Sequence, residues 1–190
     1  MRTRYARVYS LGMPDYTREE VEALAHEPHT ADLSGLNLSR SLLSGANLKQ
    51  ANLLNTNVSN ADLREADLRW ANLRKADLHG ADLRWANLHG AWMCEAILTE
   101  ADLHGARLCE AVMTDADLHG AWLGGAVMSG TDLHGANLRK VDLGGAHLSD
   151  ANLSNSNLAG ANLTNAKYSA ETKWPEGFDP VAAGAVLVKD

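Results

Sequence analysis

A chain of 190 residues with a formal net charge of −7 is long enough for one domain with its own core, and its acidic balance argues against a general nucleic-acid binder. Two cysteines, Cys94 and Cys109, exclude a disulfide-built secreted scaffold and make a reducing cytoplasm the expected setting. No apolar run approaches the length of a membrane span, so no membrane partner is expected.

In chain order, the first nine residues are basic, with Arg2, Arg4 and Arg7, and lack the apolar stretch of a secretory signal. Thr17 and Glu20 have capping-box spacing, Val21, Leu24 and Ala25 follow at helical spacing, and Pro28 ends the pattern. This predicts a short amphipathic helix over residues 18–27. Its expected role is to cover one open end of the structure that follows.

Residues 31–170 are twenty-eight five-residue units without an insertion, as in Ala61-Asp62-Leu63-Arg64-Glu65 and Ala66-Asp67-Leu68-Arg69-Trp70. A period of five suits neither regular element. On a helix the leucines would spiral round the whole surface, and in a flat strand they would alternate sides. The chain must turn between units, so that every leucine points to one axis and each coil's backbone bonds to the coils above and below. That is an all-β solenoid, with residues 1–30 and 171–190 as flanking segments. The interior should be solid, and the small residues Ser41, Thr56, Thr131 and Ser156 stand where the units otherwise place alanine.

The units Ala-(Asp/Asn)-Leu-X-X resemble those of the pentapeptide-repeat family over about three quarters of the chain. The resemblance implies a right-handed quadrilateral β-helix with four units per coil, about seven coils in all. It also implies an inward central leucine and preceding alanine, with the other three positions facing solvent. On that model residues twenty apart stack about 4.8 Å from one another.

Each outward slot then acquires an expectation. Asn or Asp before the leucine can hydrogen-bond backbone at the corners, and glycines such as Gly80, Gly90, Gly105, Gly120 and Gly135 suit corners needing positive φ. Arg64, Arg69, Arg74, Lys75 and Arg84, interleaved with Trp70 and Trp85, resemble a nucleic-acid surface. Their acidic neighbours favour a self-neutralising face instead, and no direct nucleic-acid binding is expected. Between residues 91 and 130 the Asp/Asn slot holds Trp92, Ile97, Arg107, Val112, Trp122 and Val127. Two readings stand for these six: an apolar contact surface, or ordinary extended wall favoured by β-branched and aromatic residues. The possible protein-contact residues are Trp92, Val112 and Trp122, with Trp92 beside Val112 and Trp122 on the opposite face. Met93, Met113 and Met128 are expected to fill the axis. The histidines of the Leu-His-Gly units are spread over different sides, so no metal, cofactor or catalytic residue is predicted.

After Tyr168 the pattern stops. Trp174-Pro175-Glu176-Gly177-Phe178-Asp179-Pro180 resembles the ending of many bacterial, notably cyanobacterial, members of the family. Tyr168, Trp174 and Phe178 are large enough to cover the last ring of leucines, and the prolines are expected to stop further ladder pairing. The apolar residues 181–188 either continue this cap or join two chains, which leaves monomer or homodimer through the C-terminal end.

Three classes of function follow. A rigid rod with regular faces suits a non-enzymatic interaction or structural scaffold with an unidentified protein partner. The alternative is a DNA mimic that binds DNA gyrase or another topoisomerase, as gyrase-protecting members of the family do. Those relatives tend to have Phe at many centres and a more acidic surface; here the centres are Leu, and residues 31–170 carry eleven bases against fifteen acids. An enzyme is the third class, and no arrangement in the sequence supports it.

Overall fold

A computed structural model describes residues 19–21 and 31–188. From Asp32 onward, the residue before each central apolar one pairs in parallel with the residue twenty further on: Asp32 with Asn52, Asn37 with Asn57, Leu42 with Asp62, Asn47 with Asp67. A coil therefore takes twenty residues, or four units, and the pairings form four columns. The register continues unbroken to His147 with Lys167. The chain is a β-helix solenoid.

The backbone bonds explain why five residues make a unit. In the unit beginning at Ala71, the Asn72 amide donates to the Ala51 carbonyl of the coil before at 2.9 Å, and the Leu73 amide to the Trp92 carbonyl of the coil after at 2.7 Å. The Lys75 amide reaches Cys94 O at 3.0 Å, and the Ala76 amide closes a turn onto Leu73 O at 3.1 Å. The fifth position has positive φ, the mark of a type II turn, so one short extended segment plus one corner closes each side.

The fourth-position amide has no place in this ladder. In most units the Asp or Asn Oδ1 two residues earlier accepts from it, as Asp77 does from His79 N at 3.0 Å. The expectation for these side chains holds. Each takes the one amide that the coil-to-coil geometry leaves over.

Central Leu, Met and Val side chains and the preceding alanines fill the axis, nearly all of them inaccessible to solvent. Met93, Met113 and Met128 lie there as expected. Ser41, Thr56, Thr131 and Ser156 are buried with their hydroxyls donating to Leu38, Leu33, Leu108 and Leu153 carbonyls at 2.6–2.8 Å. A polar group in this dry interior is tolerated because a carbonyl lies within reach.

At the N-terminal end Glu19, Glu20 and Val21 are helical, and Val21 is buried in the core cluster. The rest of the helix expected over residues 18–27 lies outside the described residues. At the other end two short parallel strands pair, β1 (Lys167–Tyr168) with β2 (Val186–Leu187). Lys173 also pairs with Asn152. The ladder thus continues past the repeat, contrary to the expectation drawn from the prolines. Pro175 and Pro180 sit in the connection between Lys173 and β2, where their missing amide is not required. Tyr168 meets Trp174 edge-on at 5.4 Å, Trp174 stacks on Phe178 at 5.3 Å, and all three pack against the end of the core.

Candidate protein-contact site

Gly80, Gly90, Gly105, Gly120 and Gly135 stand at corners of positive φ, as expected. Positive φ at the fifth position is shared by sixteen non-glycine residues, among them Trp70, Glu95 and Lys140, so conformation does not select glycine there. Space does, at particular corners. A Cβ on Gly90 would lie 2.1 Å from the Trp70 ring, and one on Gly105 would lie 2.4 Å from the Trp85 ring. Each indole leans onto the glycine one coil later and meets the preceding histidine edge-on, Trp70 with His89 at 4.9 Å and Trp85 with His104 at 5.6 Å. The twenty-residue spacing of Trp to Gly is the signal that could have placed these rings.

Four of the five bases of the cluster have an acid beside them, and among the described residues Arg74 has none. Arg64 grips Asp62 through Nε at 2.8 Å and Nη2 at 2.7 Å, and Arg84 grips Asp82 through the same atoms at 2.8 and 2.6 Å. Arg64 Nε also approaches Asp82 at 3.6 Å and Arg84 Nε approaches Asp102 at 3.5 Å, which makes a ladder of alternating charge along one column. Hydrogen bonds from the guanidinium hold the Asp62, Asp67 and Asp82 carboxyls below the usual aspartate range, and Arg64, Arg69 and Arg84 are raised by the same contacts. Lys75 approaches Glu95 at 3.4 Å.

Trp92 and Val112 pair directly in the column that runs Asp32, Asn52, Asn72, Trp92, Val112, Asp132, Asn152. Trp92 is 52% exposed and Val112 half-buried. Around them the column is an amide ladder: Asn52 donates to Asp32 at 2.9 Å, Asn72 to Asn52 at 3.0 Å, and Asn152 to Asp132 at 2.9 Å. The two apolar residues interrupt it. Trp122, 61% exposed, stands in the column of Asp102 and Asp142, two sides away, so the structure brings together two of the three predicted contact residues and leaves the third apart.

The interruption has a cost in backbone bonds. Among the described residues, the amides of Cys94, Thr99, Cys109, Thr114, Gly124 and Ser129, each two residues past one of the six departures, have no protein acceptor. Each forgoes a bond with a net worth of about 0.5–1.5 kcal/mol.

The corners frame the Trp92–Val112 strip. On one side the Trp70 ring covers Gly90, and Glu110 leans toward Gly130, its Cγ 3.8 Å from where a Cβ would stand. On the other are Glu95 and Asp115, the latter with its carboxylate over Gly135. Sequence reasoning passed over Trp70 and Glu110 because they belong to neighbouring units, and Asp115 because it stands at the corner of the Val112 unit rather than in the Asp/Asn slot.

Two histidine rings bond to hydroxyls of the next coil: His79 Nδ1 lies 2.8 Å from Thr99 Oγ1 and His134 Nδ1 lies 3.0 Å from Ser154 Oγ. An open hollow of about 490 Å³ at the corner below the strip is lined by Leu54, Asn55, Arg74, Lys75, Cys94 and Glu95. The Cys94 thiol there is directed at the Val112 carbonyl oxygen, 4.0 Å away. Both cysteines are free thiols, as expected.

No curated protein matches the chain. Among solved structures it is similar to Rfr23, a pentapeptide repeat protein of the cyanobacterium Cyanothece 51142, at 36% identity over 52% of this chain, with a TM-score of 0.45. The match spans 63% of Rfr23. It is also similar to HetL of the cyanobacterium Nostoc sp. strain PCC 7120, a protein involved in heterocyst differentiation regulation, at 26% identity over 90% of this chain and 92% of HetL, TM-score 0.46. QnrB1, a plasmid-mediated fluoroquinolone resistance protein, is 18% identical over 83% of this chain and 91% of its own, TM-score 0.37. Eight overlapping copies of the pentapeptide-repeats family model match, from residues 31–69 through 131–167, so the chain belongs to the pentapeptide-repeat family.

Proposed function

We propose that this chain is a non-enzymatic, cytoplasmic interaction scaffold whose Trp92–Val112 strip binds a protein partner. Its framework would be a right-handed quadrilateral β-helix of about seven coils, closed by an N-terminal helix and a C-terminal cap. One observation carries the reading: six of the eight units in residues 91–130 replace the residue that satisfies the corner amide, and two of the replacements, exposed Trp92 and half-buried Val112, stack in register. Exposed tryptophan is a common anchor of interfaces. Pull-downs from the native host, comparing wild type with Trp92→Asn/Val112→Asn, test it. The scaffold reading expects partners to be lost with the fold intact; an unchanged partner list counts against it.

The second reading is a topoisomerase-binding DNA mimic. Residues 91–130 carry six acids against one base, which favours it locally. The paired arginines on Asp62, Asp67 and Asp82 remove the continuous acidic columns a mimic needs. Purified protein is therefore expected neither to inhibit gyrase supercoiling nor to relieve quinolone poisoning, and clear inhibition at micromolar protein would reverse the ranking. The exposed β2 residues Val186 and Leu187 offer a route to a homodimer through the C-terminal end, which sedimentation would detect.

A further inference from the structure

The Trp92–Val112 strip has a definite charge environment as well as an apolar centre. Glu95 and Asp115 lie on one flank and Glu110 on the other, all exposed, and Asp132 follows Val112 in the column. Lys75 approaches Glu95, but among the described residues neither Glu110 nor Asp115 has an ion-pair partner. Arg107, the one base in residues 91–130, stands in a different column, paired with Asn87 and Val127. An exposed indole flanked by carboxylates is a surface for a cation: the ring face attracts it and the acids neutralise it.

Resting on the scaffold reading, we infer that the partner presents a short, extended, arginine-rich segment. One guanidinium lies over the Trp92 indole and neighbouring arginines pair with Glu110 and Asp115. Charge complementarity selects this occupant over an apolar helix, which would leave the carboxylates facing nonpolar surface, and over an acidic segment, which they repel. Arginine is favoured over lysine because its planar group stacks on the ring while still donating to carboxylates.

Fluorescence anisotropy of the full chain with labelled hexa-arginine, hexa-lysine and hexa-glutamate peptides tests this. Hexa-arginine is expected to bind more tightly than hexa-lysine, hexa-glutamate not to bind, and added salt to weaken the complex. Trp92→Asn/Val112→Asn and, separately, Glu110→Gln/Asp115→Asn should each weaken hexa-arginine about tenfold without changing the circular dichroism spectrum. No binding of hexa-arginine, or equal binding by wild type and both variants, overturns the proposal. Binding that appears only after Arg2→Gln, Arg4→Gln and Arg7→Gln assigns the strip to the chain's own arginines and overturns the partner assignment. If the Trp92→Asn/Val112→Asn variant loses host partners while hexa-arginine binds it as well as wild type, the basic-segment proposal fails and the scaffold reading stands.

Discussion

Residues 61–90 and 91–130 share one axis and one backbone ladder, yet their walls are built for different ends. In 61–90 all six units keep Asp or Asn before the leucine, and all six use it to accept the corner amide, at 3.0 Å from His79 to 3.4 Å from Arg74. The five acids and five bases there balance, with Arg64, Arg69 and Arg84 clamped on their neighbours. In 91–130 only Asp102 and Asp117 accept a corner amide, at 3.0 Å each, and six acids face one base. The first segment meets all its corner amides and most of its bases with its own acids, although Trp85 is 60% exposed and Lys75 and Arg84 also reach acids of the second segment. The second leaves six corner amides without protein acceptors and an excess of acids, while its inward slots keep the same apolar filling as the first.

The comparison breaks most severely if the axis is not common to both. Leu78→Asp in the first segment and Leu103→Asp in the second should both abolish folding, because each buries an unpaired charge at a site with no solvent access. Loss of the circular dichroism signal and of soluble protein in both variants checks it; survival of either would separate the two cores.

A smaller effect sharpens the account of the corners. Gly90 and Gly125 have nearly the same φ, +64° and +65°, but only Gly90 lies under an indole. Gly90→Ala should therefore cost about 1–3 kcal/mol more than Gly125→Ala in denaturant unfolding, the penalty of forcing the Trp70 ring off its seat. Adding Trp70→Ala to Gly90→Ala should remove most of that difference.

The weakest effect is expected from the charged ladder. Asp62 and Asp82 titrate lower in the folded chain than the ordinary aspartate value of 3.8, so their contribution is complete above that value and is lost as the pH falls through their lowered folded values. Arg64→Gln should remove part of this acid-side dependence and change stability little near neutrality, where exposed pairs contribute little. Acid titrations of unfolding at low and high salt check the sign; 1 M salt should erase the difference between the variants.

Much of this was readable from the residues. The period of five, the inward apolar residues and the corner-bonding Asx side chains follow from the residues, and the pairing of Trp92 with Val112 follows from the four-unit coil that the family resemblance implies. What escaped the sequence lies in side-chain rotamers, in contacts between coils and past the repeat. Trp70 gives no sign in its own unit that it will lie on Gly90, and the bidentate grip of Arg64 on Asp62 depends on rotamers. The tail rejoins the ladder at Lys173 and β2 after the period has vanished, because its prolines fall in the connection between the paired residues. Of the candidate strip, its centre was readable and its frame of Trp70, Glu110 and Asp115 was not.

Thermal unfolding of the Trp92→Asn/Val112→Asn chain tests most directly the claim that the second wall gives up stability for contact. Asparagine at both positions restores acceptors for the Cys94 and Thr114 amides and lets the Asn72 and Asp132 ladders join. The account predicts a melting temperature above wild type, by the equivalent of about 0.5–1.5 kcal/mol for each restored bond. A melting temperature below wild type would contradict it and make Trp92 and Val112 ordinary wall of the β-helix.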